Sequence, residues 1–170
     1  MTMTTDVQDF SFSRTFDAPR ERVWRAWSDA AVLAQWWGPK NTEMRVLKLD
    51  FRPGGMFHYT IAFQPGHEIY ARFIYREIVV PERIAFVISF SDAAGGITRA
   101  PFPQLKGLWP LEVLNVVTFT EQDGKTTIAL RGGPINATEE ERRMFAANAG
   151  SMQQGFGGAF DKLADVLAKH

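Results

Sequence analysis

Apolar and polar positions alternate from Phe10 to Phe16, with Phe10, Phe12 and Phe16 on one side of a first strand. Asp17 and Pro19 then supply an acidic residue and a first-turn proline for a helix carrying Val23, Trp24, Ala26 and Trp27. A second short helix begins at Asp29, carries Val32, Leu33 and Trp36, and stops at Trp37-Gly38-Pro39, which cannot extend it. From Glu43 the alternating period returns. A strand to Phe51 runs into the turn Arg52-Pro53-Gly54-Gly55. A meander follows with Phe57, Tyr59, Ile61 and Phe63, then Ile69, Ala71, Phe73 and Tyr75, then Ile84, Phe86, Ile88 and Phe90. Val113, Asn115, Val117 and Phe119 form the next strand, paired through Gln122-Asp123-Gly124 with Ile128 and Leu130. One face is apolar throughout, as in an antiparallel sheet covered on a single side.

The last segment, Thr138 to Lys169, predicts one long helix whose stripe Phe145, Ala149, Met152, Phe156, Phe160, Leu163 and Leu167 advances in steps of three and four. Thr138 with Glu141 three residues on makes a capping box, and Glu139 to Glu141 favour the positive helix end. Gly150, Gly155, Gly157 and Gly158 interrupt this helix, each at a cost of roughly 1 kcal/mol relative to Ala. They serve either close packing on the sheet or a cavity beside it. The pattern therefore predicts an α+β helix-grip fold: a curved seven-stranded antiparallel sheet wrapped around a long C-terminal helix, with two short helices after strand one. Met152, Phe156 and Phe160 are expected to meet Phe86, Phe90 and Val117 across that interface.

Composition narrows the function. At 170 residues the chain is read as a disordered segment, residues 1–8, and one domain, residues 9–170. Its 19 basic and 19 acidic side chains cancel and form no basic run, so nucleic acid is not an expected partner. The polar N-terminus and the absence of an 18-residue apolar stretch predict no membrane span and a cytoplasmic protein. With no cysteine, thiolate chemistry and disulfides are excluded. His58, His67 and His170 are not spaced to bind a metal, and His58 falls on the strand face opposite the apolar one. Gly155-Phe156-Gly157-Gly158 lies inside a helix, not between strand and helix, and is packing, not a dinucleotide fingerprint. No nucleophile elbow, Walker loop or zinc-protease helix occurs. No catalytic residue, metal or cofactor is predicted.

Several motifs carry a resemblance. Asp17-Ala18-Pro19 with Val23-Trp24, Trp36-Trp37-Gly38-Pro39, Arg52-Pro53-Gly54-Gly55, Glu77 with Pro81-Glu82-Arg83, and Gly155-Phe156 before Leu163-Ala164 resemble the activator of heat-shock-protein-90 ATPase homologue-like family. That family belongs to the START-like, or SRPBCC, superfamily of helix-grip folds. The resemblance runs from about Phe10 to Leu167. Two departures stand out: Phe156 replaces the tryptophan usual after the helix glycine, and Ser91 to Leu111 forms a long insertion of the kind that builds lids.

The fold so implied has an internal chamber, and the leading functional reading is binding of a small hydrophobic molecule or lipid there. Asn115, Tyr59 and Tyr75 bring polar groups onto the apolar face and would orient a ligand's polar end, or else form an internal network. Trp37, Phe57, Phe73, Phe90, Met152 and Phe156 would hold its apolar body, and Trp109 would cover the entrance as part of a moving lid. Two alternatives come with the resemblance: a chaperone or stress-response interaction module, and a cyclase- or hydrolase-like enzyme. Homodimerisation is left open.

Overall fold

The computed structural model describes residues 10–169. The segment expected to be disordered, residues 1–8, lies outside the described residues. The chain runs β1 (Phe10–Phe16), α1 (Arg20–Ser28), α2 (Ala30–Trp36), β2 (Glu43–Leu49), β3 (Met56–Gln64), β4 (His67–Val79), β5 (Arg83–Ser91), a short 3-10 turn (Pro103–Leu105), β6 (Val113–Gln122), β7 (Lys125–Pro134), α3 (Glu139–Ala147) and α4 (Ala149–Ala168). One seven-stranded antiparallel sheet has the order β1-β7-β6-β5-β4-β3-β2. This is the helix-grip fold, and its first strand closes back on its last.

Asp29 links the two short helices. It ends α1, and its carboxylate accepts hydrogen bonds from the Ala31 and Val32 amides at the start of α2. The bracket is locked when the Trp36 indole donates to the Ala26 carbonyl at 2.8 Å. That places Trp27 and Trp36 edge-on at 4.9 Å, both buried against α4.

The predicted single C-terminal helix is two helices. The break falls at Asn148, whose backbone (φ −104°, ψ 16°) leaves the helical region. Its amide nitrogen donates to the Met144 carbonyl at 2.8 Å and its N–H to Phe145 at 3.1 Å, so a side chain takes a carbonyl that helix propagation would use. The capping box at Thr138 and Glu141 is present at the start of α3.

α4 packs on β1, α1 and α2. Its ring contacts with the sheet fall on β1: Phe160 approaches Phe12 at 5.3 Å and Phe16 at 5.7 Å, and Phe156 approaches Phe10 at 5.7 Å, while Phe160 shares the core cluster with Phe86 and Val117. Leaning on β1, the first half of the helix stands away from the central strands. Met152 and Phe156 are only half-buried, whereas Phe160 and Leu163 are fully enclosed. None of the helices of the described residues is long and apolar enough to cross a membrane.

Candidate functional site: a chamber between sheet and helix

The gap holds a cavity of about 290 Å³, close to the lower end of the roughly 300–1,000 Å³ usual for small-molecule sites. It occupies one end of the interface. Strand pairing explains why. On the covered face, Tyr59, Ala71 and Phe90 stand side by side across β3, β4 and β5, so the small Ala71 leaves a gap between two rings. Gly155 faces it from α4, and a Cβ there would meet no atom within 4 Å. Ile61, Phe63, Ile69, Ile88 and Val113 complete the apolar walls. Phe63, 47% exposed, lies on the rim, where Phe102 packs edge-on against both it (6.0 Å) and Phe90 (5.8 Å).

Asn115 enters from β6. It is paired with Gly132 on β7, where any Cβ would collide with the Asn115 amide; a glycine in mid-strand marks this close approach. The Asn115 side chain is buried, borders the cavity, and makes no hydrogen bond within the described residues. Tyr59 contributes the other polar side chain. Burial pushes the pKa of its hydroxyl well above the ordinary phenol value, opposed by the Trp37 indole acting as a hydrogen-bond donor. Ser89 also borders the chamber, but it sits in the row His58–Arg72–Ser89, which points to the other sheet face, so it presents its main chain. Among the described residues the lining contains no carboxylate, imidazole, guanidinium or amine, and no cluster of three metal-ligating side chains occurs.

Of the residues singled out from the sequence, Trp37, Tyr59, Phe90, Trp109, Asn115, Met152 and Phe156 line the cavity. Phe57, Phe73 and Tyr75 do not. They share the covered face but lie farther along their strands in solid core, where Phe73 stacks on Phe86 at 3.9 Å and touches Phe57 and Trp37 edge-on at 5.0 and 5.2 Å. Tyr75, also fully buried there, has its pKa raised by desolvation. The glycines divide similarly. Gly155 opens onto the chamber, whereas a Cβ on Gly158 would press on Lys40 Cγ at 3.0 Å. Alternation placed Phe10 on the covered face without marking it as a chamber residue, and it did not reveal Phe102 or Gly132; the glycine pair Gly132-Gly133 within a strand was the available signal for the last.

The long segment is not one free lid. Its start is tied to the outer sheet face: Ser91 bridges Ile97, the Asp92 carboxylate accepts from the Ala94 and Gly96 amides, and Arg72 donates to the Gly95 carbonyl at 2.7 Å. His58, expected on that outer face, lies there but is buried beneath this turn, with Nε2 3.2 Å from Ser91 Oγ. Farther on, Arg99 pairs with the enclosed Glu141 at 2.6 Å and donates to the Trp109 carbonyl, while the Trp109 ring lies 5.3 Å from Phe145. Between these anchors the Phe102 tip is followed by left-handed Lys106 (φ 54°) and Gly107 (φ 70°).

Comparison with known families places this architecture. The model of the activator of Hsp90 ATPase homolog 1-like family matches residues 17–168. The chain belongs to this family. The family's helix-grip fold recurs in a solution structure from Arthrobacter aurescens (23% identity, TM-score 0.77, covering 97% of this chain and 90% of that one). A crystal structure of Ms6760 from Mycobacterium smegmatis is similar at 24% identity and TM-score 0.73, covering 92% and 88% of the two chains. A family protein from Silicibacter pomeroyi matches at 19% identity and TM-score 0.70, over 95% and 99%. At such identities the likeness speaks to the fold alone. No curated protein gives a significant match.

Proposed function

We propose that this family member binds a small apolar molecule in the chamber between α4 and the sheet, with Trp37, Phe90, Met152 and Phe156 holding its body and Asn115 and Tyr59 orienting a polar end. The observation that carries this reading is the Asn115 amide: on a buried residue and without a hydrogen bond among the described residues, it presents unpaired polar atoms to an apolar cavity. A ligand atom or an ordered water meets that need. The Phe102 tip forms the adjustable part of the wall, beside the anchored Trp109. In this reading the protein acts by carrying or sensing its ligand, since the lining offers no acid–base pair for chemistry.

Native mass spectrometry of purified protein, followed by denaturing extraction, tests the proposal. A retained apolar molecule, released on denaturation and competed by added naphthalene derivatives, is the expected result. Failure to retain or take up any apolar probe would shift the function to a surface and favour the protein-interaction reading suggested by the family description.

A further inference from the structure

Resting on the reading of the chamber as a ligand site, we infer that it selects uncharged ligands carrying a single neutral acceptor or donor, such as a ketone, ester or alcohol, and rejects carboxylates and phosphates of the same shape. Three observations carry this. The polar side chains that border the chamber, Asn115 and Tyr59 with the indoles of Trp37 and Trp109, are all neutral and can exchange hydrogen bonds but cannot balance a buried charge. The cations on the surrounding elements do not line the chamber. Arg14 and Lys40 both pair with Asp161, at 2.6 and 2.9 Å, and Arg99 pairs with Glu141. Lys162 has no carboxylate partner, but its ammonium donates to the Pro39 carbonyl at 3.2 Å and borders a separate polar depression with Thr42 and Glu68. An anion entering the chamber would therefore be desolvated without a counter-ion, a far greater penalty than burying a neutral carbonyl that Asn115 can serve.

The Asn115–Gly132 pairing makes this selectivity a built feature. Without a side chain at Gly132, the Asn115 amide occupies the space above β7, on the same covered face as Phe90 of the neighbouring β5 and Tyr59 two strands beyond it.

Equilibrium dialysis of wild type at neutral pH against naphthalene, methyl 2-naphthoate and 2-naphthoate tests the inference. The ester is expected to bind about tenfold or more tightly than the carboxylate. In Asn115→Leu, ester affinity should fall several-fold while naphthalene affinity is unchanged or higher. Equal or tighter binding of 2-naphthoate by wild type would overturn the inference while leaving the ligand-site reading intact. Undiminished ester binding by a folded Asn115→Leu would overturn the role of Asn115. If none of the three probes binds, the ligand-site reading fails and this inference with it. Should Asn115→Leu not fold, the wild-type comparison of ester and carboxylate decides alone.

Discussion

From the middle of α4 onward, Phe160 is enclosed by Phe16, Trp27 and Trp36 at 5.7, 6.3 and 5.9 Å, and just before it Gly158 lies so close to Lys40 that a Cβ would be crowded. Where α4 begins, Met152 and Phe156 are half-buried, and Gly155 faces open space across from Ala71. The same helix and the same kinds of residue thus make solid core at one end and a chamber at the other. Small residues decide which, and their meaning depends on what stands opposite. A glycine pressed by a neighbour permits contact; a glycine facing an alanine withholds it. Large rings secure the solid end so that the hollow end can stay unfilled.

The largest expected effect separates the two phenylalanines. Phe160→Ala should cost about 3–5 kcal/mol in denaturant melts, and Phe156→Ala clearly less, because its surroundings are already partly empty. Equal losses would erase the distinction between the ends. Next come the glycines. Both Gly158→Leu and Gly155→Leu gain helix propensity, but Gly158→Leu should be the less stable of the two because its side chain must displace Lys40, whereas Gly155→Leu should stay within about 1 kcal/mol of wild type or above it. A reversed order would place the hollow elsewhere.

Gly132→Ala sharpens the comparison from the sheet side. It should displace the Asn115 amide and lower both stability and ester affinity, while naphthalene binding changes little. If the melt and the ester titration both match wild type, Asn115 is not held as described.

The smallest effect concerns the anchor of the insertion. The Thr138 amide and Arg99 hold the Glu141 carboxyl below its usual pKa, so its contribution is present above the ordinary Glu value of about 4.3 and is lost as pH falls through the depressed folded value. Glu141→Gln keeps an acceptor for the cap but loses the ion pair, so its stability should be slightly lower at neutral pH and flatter in acid. Parallel acid titrations of melting midpoint would count against the anchor.

Much of this was legible in the chain. Period-two runs marked the seven strands, and the stripe from Ala149 to Leu167 marked the gripped helix. The break at Asn148 was not, because its cause is a side chain competing for the Met144 carbonyl within an unbroken apolar stripe. Alternation likewise assigned Phe57, Phe73 and Tyr75 to the same face as Tyr59 and Phe90, and correctly so. It is silent on position along the strand, and that separates core from chamber. Which end is hollow depends on the helix leaning on β1, a long-range packing choice that local pattern does not encode.

The most direct test of the central claim is methyl 2-naphthoate binding to wild type and Gly155→Leu, measured by equilibrium dialysis alongside denaturant melts. A chamber beneath Gly155 predicts that the leucine fills it: binding drops about tenfold or more while stability is held or raised. Unchanged binding by a stable Gly155→Leu protein would contradict the claim.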